Sequence, residues 1–460
     1  MKNIWEDAQQ KAFVKIAGAL NEAKIHWTVL RNYDGLPAYN DSKDIDISLR
    51  YSERKKALKL IETSLLACGF VFKKEIRFSF CYSLVYFKMC DGNVDSIKID
   101  LFWGLQLKGY LMQSPDDLYA NSIDLGFFKG ADKSISAVFN LTTSIVANGI
   151  LRDKYFNPLV AEYKKNKLDV KKWLSSIMDE EMQMRLENDI QSSNIGSIKK
   201  YIPELRASIK RATFKKQPLE IILRSISRWY YRLQQFINDS GGGFISFHGA
   251  DGSGKTTVIN EFIKQYSDVF VIDRQAISLQ HFRPHFLPNA RAIVAGSKYD
   301  ESKEEYHNPH RGKNKSFFPS FFALCYYCFD YIVGYFFRTK KEILFHNTVI
   351  YDRYIYDFLT DPQRMSITLP YFIRKIFVYA LPRPFVSFYL DGPAKLIYSR
   401  KKELTLDAIT TQNNIYRNKL AKNKRFVTLD ILQNPEEIAT TAIISYIKKT
   451  CIILISDNNT

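Results

Sequence analysis

The chain has 460 residues, of which 46% are hydrophobic and 25% charged, as in ordinary globular proteins. This length exceeds what one hydrophobic core serves, so we expect about two or three domains. The 66 Lys and Arg outnumber the 48 Asp and Glu and give a net charge of +18, which suits phosphorylated small molecules, nucleic acid or an anionic membrane surface. The six scattered cysteines exclude a regular disulfide framework and, with the polar start MKNIWEDAQQ, predict a cytoplasmic protein.

Residues 1–130 mix helical and strand patterns and contain three acids in apolar surroundings. Asp44 and Asp46 alternate in "KDIDISLR", so both carboxylates face the same side of a strand, and Asp100 lies in "SIKIDLFW". Three carboxylates on adjacent strands are what two Mg²⁺ ions need for nucleotidyl transfer. These segments resemble the nucleotidyltransferase superfamily, which implies an α+β domain with Asp44, Asp46 and Asp100 as metal ligands. The segment "RNYDGLP" replaces the family's usual Gly-Ser, which leaves open whether the domain catalyses a reaction or only binds a substrate.

Residues 131–238 have a mostly helical and polar pattern and predict a helical connecting region. Residues 199–232 hold ten basic and two acidic residues, and Arg224, Arg228 and Arg232 recur every four residues beside Trp229 and other apolar side chains. This pattern favours a helix that packs one face on its neighbours with the arginines in solvent. Docking of the same helix on an anionic membrane surface or on nucleic acid is the alternative.

The third region, residues 239–460, begins with the flexible stretch "DSGGG" and then alternates short apolar runs with helical patterns. The runs predict strands at residues 244–249, 269–273, 348–352, 386–391 and 426–430. This alternation predicts an α/β domain with a parallel sheet covered by helices on both faces. The apolar run at residues 317–337 is long enough to span a membrane, but Asp330 in its middle favours a buried helix of a soluble domain.

A phosphate-binding loop follows the first of these strands. The segment "GADGSGKT", residues 249–256, fits G-x-x-x-x-G-K-[ST] between a strand and a helix. Lys255 can approach the β- and γ-phosphates of ATP, the Thr256 hydroxyl can bind Mg²⁺, and Asp352 at the end of a later strand can bind the same ion directly or through water. The predicted ATP-binding residues are Gly249, Asp251, Gly252, Ser253, Gly254, Lys255, Thr256 and Thr257.

Three segments, "GADGSGKTT", "DRY" at 352–354 and "YLDGPAKLIYSRKKEL" at 389–404, resemble the thymidylate kinase-like branch of the P-loop nucleotide kinases over about residues 243–450. The resemblance implies a doubly wound parallel-sheet fold and Mg-ATP-dependent phosphoryl transfer to a monophosphate. By position it implies that Asp251 meets the acceptor's sugar and Arg353 the acceptor's phosphate. The loop lacks the transition-state arginine of some members, so Arg400, Lys401 and Lys402 of the lid are the candidates to supply that charge.

Two departures from the family put thymidylate itself in doubt. Tyr327 matches the family's aromatic position, but Tyr331 replaces an arginine, and Asp357 replaces a serine. Positively charged loop residues that are particular to this chain are the alternative acceptor ligands. The competing explanation is that these residues form structural ion pairs. The segments "HFRP" and "DPQR", which contain Arg283 and Arg364, look like those of thymidylate kinase-like proteins associated with surface-polysaccharide synthesis. The predicted acceptor-binding residues are Asp251, Arg283, Arg311, Tyr327, Arg353 and Arg364.

The sequence therefore predicts an enzyme that transfers phosphate from ATP, with Mg²⁺, to a nucleoside monophosphate or to a sugar or glycan-precursor acceptor. The predicted catalytic residues are Lys255, Arg353, Arg400 and Lys401. One alternative is a plain dTMP kinase with an inert N-terminal appendage, and another is a regulatory NTP-binding protein at a membrane or nucleic acid. We expect the partner to be a small-molecule acceptor rather than nucleic acid. The sequence leaves open whether the protein forms a homodimer.

Overall fold

The computed structural model describes residues 5–40, 42–238, 242–284, 286–288 and 316–454. It divides into two compact units, one formed by residues 1–88, 95–233 and 452–460 and the other by residues 89–94 and 234–451. Within the described part, the strands in chain order are β1 (Trp27–Val29), β2 (Asp44–Leu49), β3 (Phe72–Arg77), β4 (Cys81–Cys90), β5 (Asn93–Phe102), β6 (Leu105–Leu107), β7 (Tyr110–Gln113), β8 (Ile123–Asp124), β9 (Lys129–Gly130), β10 (Phe244–His248), β11 (Ile277–His281), β12 (Thr348–Asp352), β13 (Val386–Asp391), β14 (Phe426–Asp430) and β15 (Ile452–Ile453).

The α-helices are numbered in the same way. They are α1 (Asp7–Glu22), α2 (Arg54–Leu66), α3 (Pro115–Ala120), α4 (Lys133–Thr143), α5 (Asp153–Lys165), α6 (Lys167–Ile177), α7 (Glu180–Gln191), α8 (Ile195–Lys200), α9 (Ile202–Lys216), α10 (Pro218–Asn238), α11 (Lys255–Val269), α12 (Phe317–Gly334), α13 (Lys340–Leu344), α14 (Asp357–Thr360), α15 (Tyr371–Ala380), α16 (Ala394–Arg400), α17 (Leu406–Ile415) and α18 (Pro435–Thr450). Single π-helical turns at Tyr335–Thr339 and Tyr416–Leu420 extend α12 and α17.

The first unit contains a mixed sheet and a group of helices. In the described residues the sheet has eight strands in the order β15-β3-β4-β5-β2-β1-β9-β8, with β2 parallel to β5 and antiparallel to β1. Helices α1 and α2 bury Phe13, Ile16 and Ile61 against strand residues such as Ile47 and Ile99. This packing covers one face of the sheet with apolar side chains, as an amphipathic helix requires.

The helical part of the first unit runs from α4 to α9 around a core of its own, which includes Val138, Leu159, Leu174 and Leu186. Polar residues fix several of the helix starts. The carboxylate of Asp132 accepts hydrogen bonds from two backbone N–H groups at the start of α4, and Asp179 and Asn194 cap α7 and α8 in the same way. These caps satisfy N–H groups that have no partner within the helix.

The second unit is built on a parallel sheet of five strands in the order β11-β12-β10-β13-β14. On one face, α11 and α18 pack through the rings of Phe262, Tyr266 and Tyr446. On the other face, α12 packs against Phe244 and Tyr351 of the sheet. Helices on both faces make the sheet doubly wound. The strand order changes direction at β10, because β12 and β11 lie on one side of it and β13 and β14 on the other. In such sheets ligands bind at the carboxyl end of the strands at this point.

Four of the five strands predicted for this region are present, at β10, β12, β13 and β14. The strand predicted at residues 269–273 is wrong. Helix α11 continues to Val269, the backbone turns at Val271 with φ of 52°, and the strand begins only at Ile277. Val269 and Phe270 are buried at the end of α11, and a short apolar run does not distinguish that position from a strand.

Helix α12 is buried on only one face, so the prediction of a buried helix holds in part. Leu324, Tyr327 and Tyr331 face the core, whereas Phe318 is 71% and Phe322 69% exposed. The continuous helical stretch Phe317–Leu344 is long and apolar enough to cross a membrane, and half of its most apolar window is buried inside the protein. A core helix of a soluble protein meets the same length and composition criterion.

Candidate active site

The loop between β10 and α11 requires glycine at several positions. Gly249, Gly252 and Gly254 have φ of 152°, 94° and 83°, values that other residues rarely adopt. A Cβ atom on Gly252 would lie 2.7 Å from the carbonyl oxygen of Ile397 and 3.0 Å from Cβ of Lys401. The loop therefore curves tightly at the carboxyl end of β10 and directs the first N–H groups of α11 toward one point, as anion-binding loops do.

Lys255 is the first residue of α11 and is only 7% exposed. Its Nζ donates hydrogen bonds of 3.1 Å to the carbonyl oxygens of Gly249 and Ala250, and it lies 3.8 Å from a carboxylate oxygen of Asp251. Burial and the nearby Arg353 guanidinium lower the pKa of Lys255 to about 8. An anion at the loop would add an opposite charge and favour the protonated amine.

Asp352 ends β12 beside the loop, because β12 and β10 are neighbours and Asp352 pairs with Phe247. One of its carboxylate oxygens lies 3.4 Å from Nδ1 of His281, and the other is buried without a hydrogen-bond partner. Burial opposes ionisation of Asp352, but the His281 hydrogen bond and the charge of Lys255 outweigh it and lower the pKa. The unpartnered oxygen and the exposed Thr256 hydroxyl are oxygen ligands of the kind that Mg²⁺ prefers, so these two residues fit that ion.

Arg353 follows Asp352 in a left-handed conformation with φ of 71°. Its backbone N–H donates to the carbonyl oxygen of Phe247 at 2.9 Å, which fixes it at the edge of the sheet. Its guanidinium is only 3% exposed and donates to Asp251 at 2.6 Å and to Asp357 at 3.0 Å. A buried cation held between two carboxylates has one orientation, because any other position would leave an unpaired charge.

Asp251 joins this arginine to a second one. Its other carboxylate oxygen accepts a hydrogen bond from Arg364, whose Nε lies 3.2 Å from Asp361. Burial alone would raise the pKa of Asp251, but Arg353, Lys255 and Arg364 together hold it well below its usual range. The Asp251 carboxylate therefore orients two guanidinium groups beside the phosphate-binding loop.

The structure pairs Arg283 with an acid of α12. Its NH1 lies 3.0 Å from the fully buried Asp330 and 3.1 Å from the carbonyl oxygen of Leu287, and its guanidinium lies 5.8 Å from the ring centroid of the buried Tyr327. The second oxygen of Asp330 accepts the N–H of Leu287 at 2.6 Å. These contacts match the competing explanation, structural ion pairing. Arg311, also predicted to bind the acceptor, lies outside the described residues.

The predicted lid cations lie at the end of α16, which approaches the loop through the contact of Lys401 with Gly252. Arg400 is the last residue of the helix, and Lys401 forms an ion pair of 2.9 Å with Glu403. Both side chains are exposed. The backbone of this segment is thus near the phosphate-binding loop, while its charged groups point into solvent or to a neighbouring acid.

The three acids of the first unit lie near one another, and two of them, Asp46 and Asp100, form ion pairs with cations. Asp46 on β2 and Asp100 on β5 are opposite each other in the register of the two parallel strands. Burial, followed by the charge of Asp46, raises the pKa of Asp44. Arg31 forms an ion pair with Asp46, and Lys98 forms one of 3.1 Å with Asp100. In the part of the chain that the structure describes, no group of three or more His, Cys, Asp or Glu side chains is placed to hold a metal ion. Asp44, Asp46 and Asp100 as ligands of two metal ions therefore stay a prediction.

Two site residues were not among the predicted ligands. Asp357 forms an ion pair with Arg353. The spacing of four residues between them could have predicted this contact from the sequence. His281 reaches Asp352 because their strands pair in parallel register, His281 beside Asp352. The misplaced strand at residues 269–273 hid this second contact, since it left His281 in a loop.

Comparisons with known proteins give little more than this geometry. No family model matches the chain, and no curated protein matches it. Chains of solved structures that match number 107, among them a thymidylate kinase from Ehrlichia chaffeensis with 15% sequence identity and a TM-score of 0.30, covering 45% of this chain and 99% of the kinase. A likeness at this level carries no argument about function, so the proposals below depend on the site itself.

Proposed function

We propose that the second unit is a Mg-ATP-dependent phosphotransferase. The observation that carries the proposal is the position of Lys255 and the glycine loop at the carboxyl end of β10, beside Asp352 on the neighbouring strand. A glycine loop before a helix binds phosphates through its N–H groups, and an acid on the adjacent strand is where such proteins hold Mg²⁺. The mixed α/β fold with its doubly wound parallel sheet supplies both positions.

In this proposal Lys255 exchanges the carbonyl oxygens of Gly249 and Ala250 for phosphate oxygens of ATP. The exchange is favourable because the amine is buried and its present hydrogen-bond acceptors are uncharged carbonyls. Thr256 and Asp352 would hold Mg²⁺, which supplies positive charge to the phosphate oxygens when it is bound. The N–H groups of the loop and of α11 complete the cradle.

The acceptor would meet Arg353 and Arg364, the two guanidinium groups that Asp251 orients. Two oriented arginines suit a phosphate or other anionic oxygen group, because each offers several N–H donors in one plane. The acceptor class that fits is a nucleoside monophosphate or a phosphorylated sugar or glycan precursor. Lys401, whose backbone lies beside Gly252, and the preceding Arg400 would act as lid cations once their side chains turn toward the loop.

The test uses the purified full-length chain with γ-labelled ATP, Mg²⁺ and a panel of nucleoside monophosphates, sugar phosphates and glycan precursors. We expect label transfer to one acceptor class, reduced roughly a hundredfold or more by Lys255→Ala. The matched control is Lys264→Ala, which removes an exposed lysine of the same helix whose Nζ pairs with Glu261 in a 3.2 Å surface contact. Equal transfer by the two variants would contradict the proposal. Transfer to dTMP alone would identify a plain thymidylate kinase.

A further inference from the structure

His281 is the last residue of β11 and lies beside the carboxylate that the proposed function assigns to the divalent cation. β11 is at one edge of the sheet of the second unit and runs parallel to β12, with His281 opposite Asp352. Residues opposite each other in parallel strands project from the same face of the sheet. The register of the two strands therefore brings the imidazole and the carboxylate together at the carboxyl edge of the sheet.

The two oxygens of the Asp352 carboxylate have different surroundings. One lies 3.4 Å from Nδ1 of His281, and the other is buried without a hydrogen-bond partner. A buried polar atom of this kind is available to an ion or to a water molecule, because leaving it without any partner is costly. His281 thus contacts one oxygen while the second stays available to a cation.

Backbone hydrogen bonds on both sides of Asp352 hold this pair in place. The N–H of Phe282, the residue after His281, donates to the carbonyl oxygen of Asp352 at 2.9 Å. On the other side, Asp352 is opposite Phe247 of β10, and the carbonyl oxygen of Phe247 accepts the N–H of Arg353 at 2.9 Å. Because the backbone is fixed between two strands, the contact with His281 is what sets the rotation of the carboxylate.

We propose that His281 is a positioning residue for the divalent cation, since it donates a hydrogen bond from Nδ1–H to Asp352 and so fixes which carboxylate oxygen faces the metal ion. This inference rests on the proposed function, which assigns Mg²⁺ to Thr256 and Asp352. Hydrogen bonds to a metal-binding carboxylate fix its orientation, and their removal typically weakens metal binding by about 10–100-fold. The contact is long for a hydrogen bond, as contacts of catalytic groups often are before a ligand binds.

Direct binding of the metal ion by His281 is the alternative role. Nδ1 is the ring atom that approaches Asp352, so it is engaged by the carboxylate rather than by the ion. Mg²⁺ also takes oxygen ligands in preference to imidazole nitrogen, whereas Ni²⁺ binds imidazole well. The two roles therefore predict different results for Mg²⁺ and Ni²⁺ when the imidazole is replaced.

The experiment measures, by isothermal titration calorimetry, how tightly the full-length chain binds an ATP analogue whose β,γ-bridging oxygen is replaced by an imido group. Each form is titrated with Mg²⁺ and with EDTA, and the ratio of the two affinities reports the contribution of the metal ion. His281→Ala should reduce this ratio about tenfold or more and leave the affinity in EDTA unchanged, because His281 acts through Asp352.

Two further variants serve as controls for this measurement. His281→Asn should keep most of the ratio, because its side-chain amide supplies an N–H donor close to the position of Nδ1. Leu279→Ala is the matched control, since Leu279 lies two residues earlier on the same face of β11 and is 47% exposed. Its ratio should equal that of the wild-type chain.

A ratio that falls in His281→Ala and returns in His281→Asn, equally for Mg²⁺ and Ni²⁺, supports the proposal. Equal ratios in the wild-type chain and His281→Ala would overturn it while the proposed function stands. A loss in His281→Asn as large as in His281→Ala, and larger with Ni²⁺ than with Mg²⁺, would make His281 a metal ligand instead. If the wild-type chain binds the analogue neither with Mg²⁺ nor with EDTA, the proposed function fails and this inference fails with it.

Discussion

The ion pair between Asp330 and Arg283 gives the sharpest test of which cations are structural. Asp330 is fully buried on α12, with one oxygen 3.0 Å from NH1 of Arg283 and the other 2.6 Å from the N–H of Leu287. The change Asp330→Asn keeps the size of the side chain and removes its charge. Arg283, which is itself buried, then keeps its positive charge and loses the opposite charge of Asp330.

Removing one partner of a buried ion pair costs about 3–5 kcal/mol, because the remaining charge stays desolvated. A unit of this size loses about 2–4 °C in melting temperature for each kcal/mol, so we expect Asp330→Asn to lower it by about 6–20 °C. The double variant Arg283→Met with Asp330→Leu should recover most of this loss, since it leaves no unpaired charge. Scanning calorimetry of the full-length chain measures these shifts.

The control is Asp391→Asn, which breaks the more exposed ion pair with Arg417, 2.8 Å long. A surface pair of this kind contributes about 0–1 kcal/mol, so its melting temperature should change little. Equal and small shifts in Asp330→Asn and Asp391→Asn would refute the reasoning. If Arg283→Met kept its melting temperature and lost acceptor turnover, Arg283 would be an acceptor ligand, as first predicted.

Three further changes test the site. Gly252→Ala should weaken ATP binding more than Gly254→Ala, because a Cβ on Gly252 collides with the backbone while a Cβ on Gly254 meets open space, and calorimetric titration of both variants compares them. Because the pKa of Lys255 is lowered to about 8, the affinity for ATP should fall as the pH rises above 8. Near that pH, ATP binding should be accompanied by uptake of a proton, which calorimetric titrations in buffers of different ionisation enthalpy detect. Lys255→Arg should show no such proton uptake. Arg364→Ala should raise the KM for the acceptor roughly tenfold or more and leave the KM for ATP unchanged in steady-state assays, since a charged hydrogen bond contributes about 1.5–3 kcal/mol.

The sheet of the second unit could be predicted because its strands are short apolar runs that end in polar residues. β10, β12, β13 and β14 all have this form. β11 could not be predicted in the same way, since its sequence "ISLQH" is half exposed at the edge of the sheet and resembles a loop. The apolar run before it belongs to the end of α11, where it is buried by the neighbouring helix rather than by the sheet.

The phosphate-binding loop was also evident, because glycine spacing and a lysine are local features of a sequence. The partners of the arginines were not. Arg283 and Asp330 lie 47 residues apart, and Arg353 and Asp251 lie 102 apart, so only the fold brings each pair into contact. The same limit applies to Arg31 and Asp46, which lie 15 residues apart and form an ion pair in the fold.

The most direct test of the central claim is the affinity of Mg-ATP for three forms of the full-length chain, measured by isothermal titration calorimetry. The wild-type protein and Lys264→Ala should bind equally, and Lys255→Ala should bind at least about tenfold more weakly, because it loses a charge-assisted contact to the phosphates. Equal affinity in all three forms, or no binding by the wild-type chain, would contradict the assignment of the loop as an ATP site.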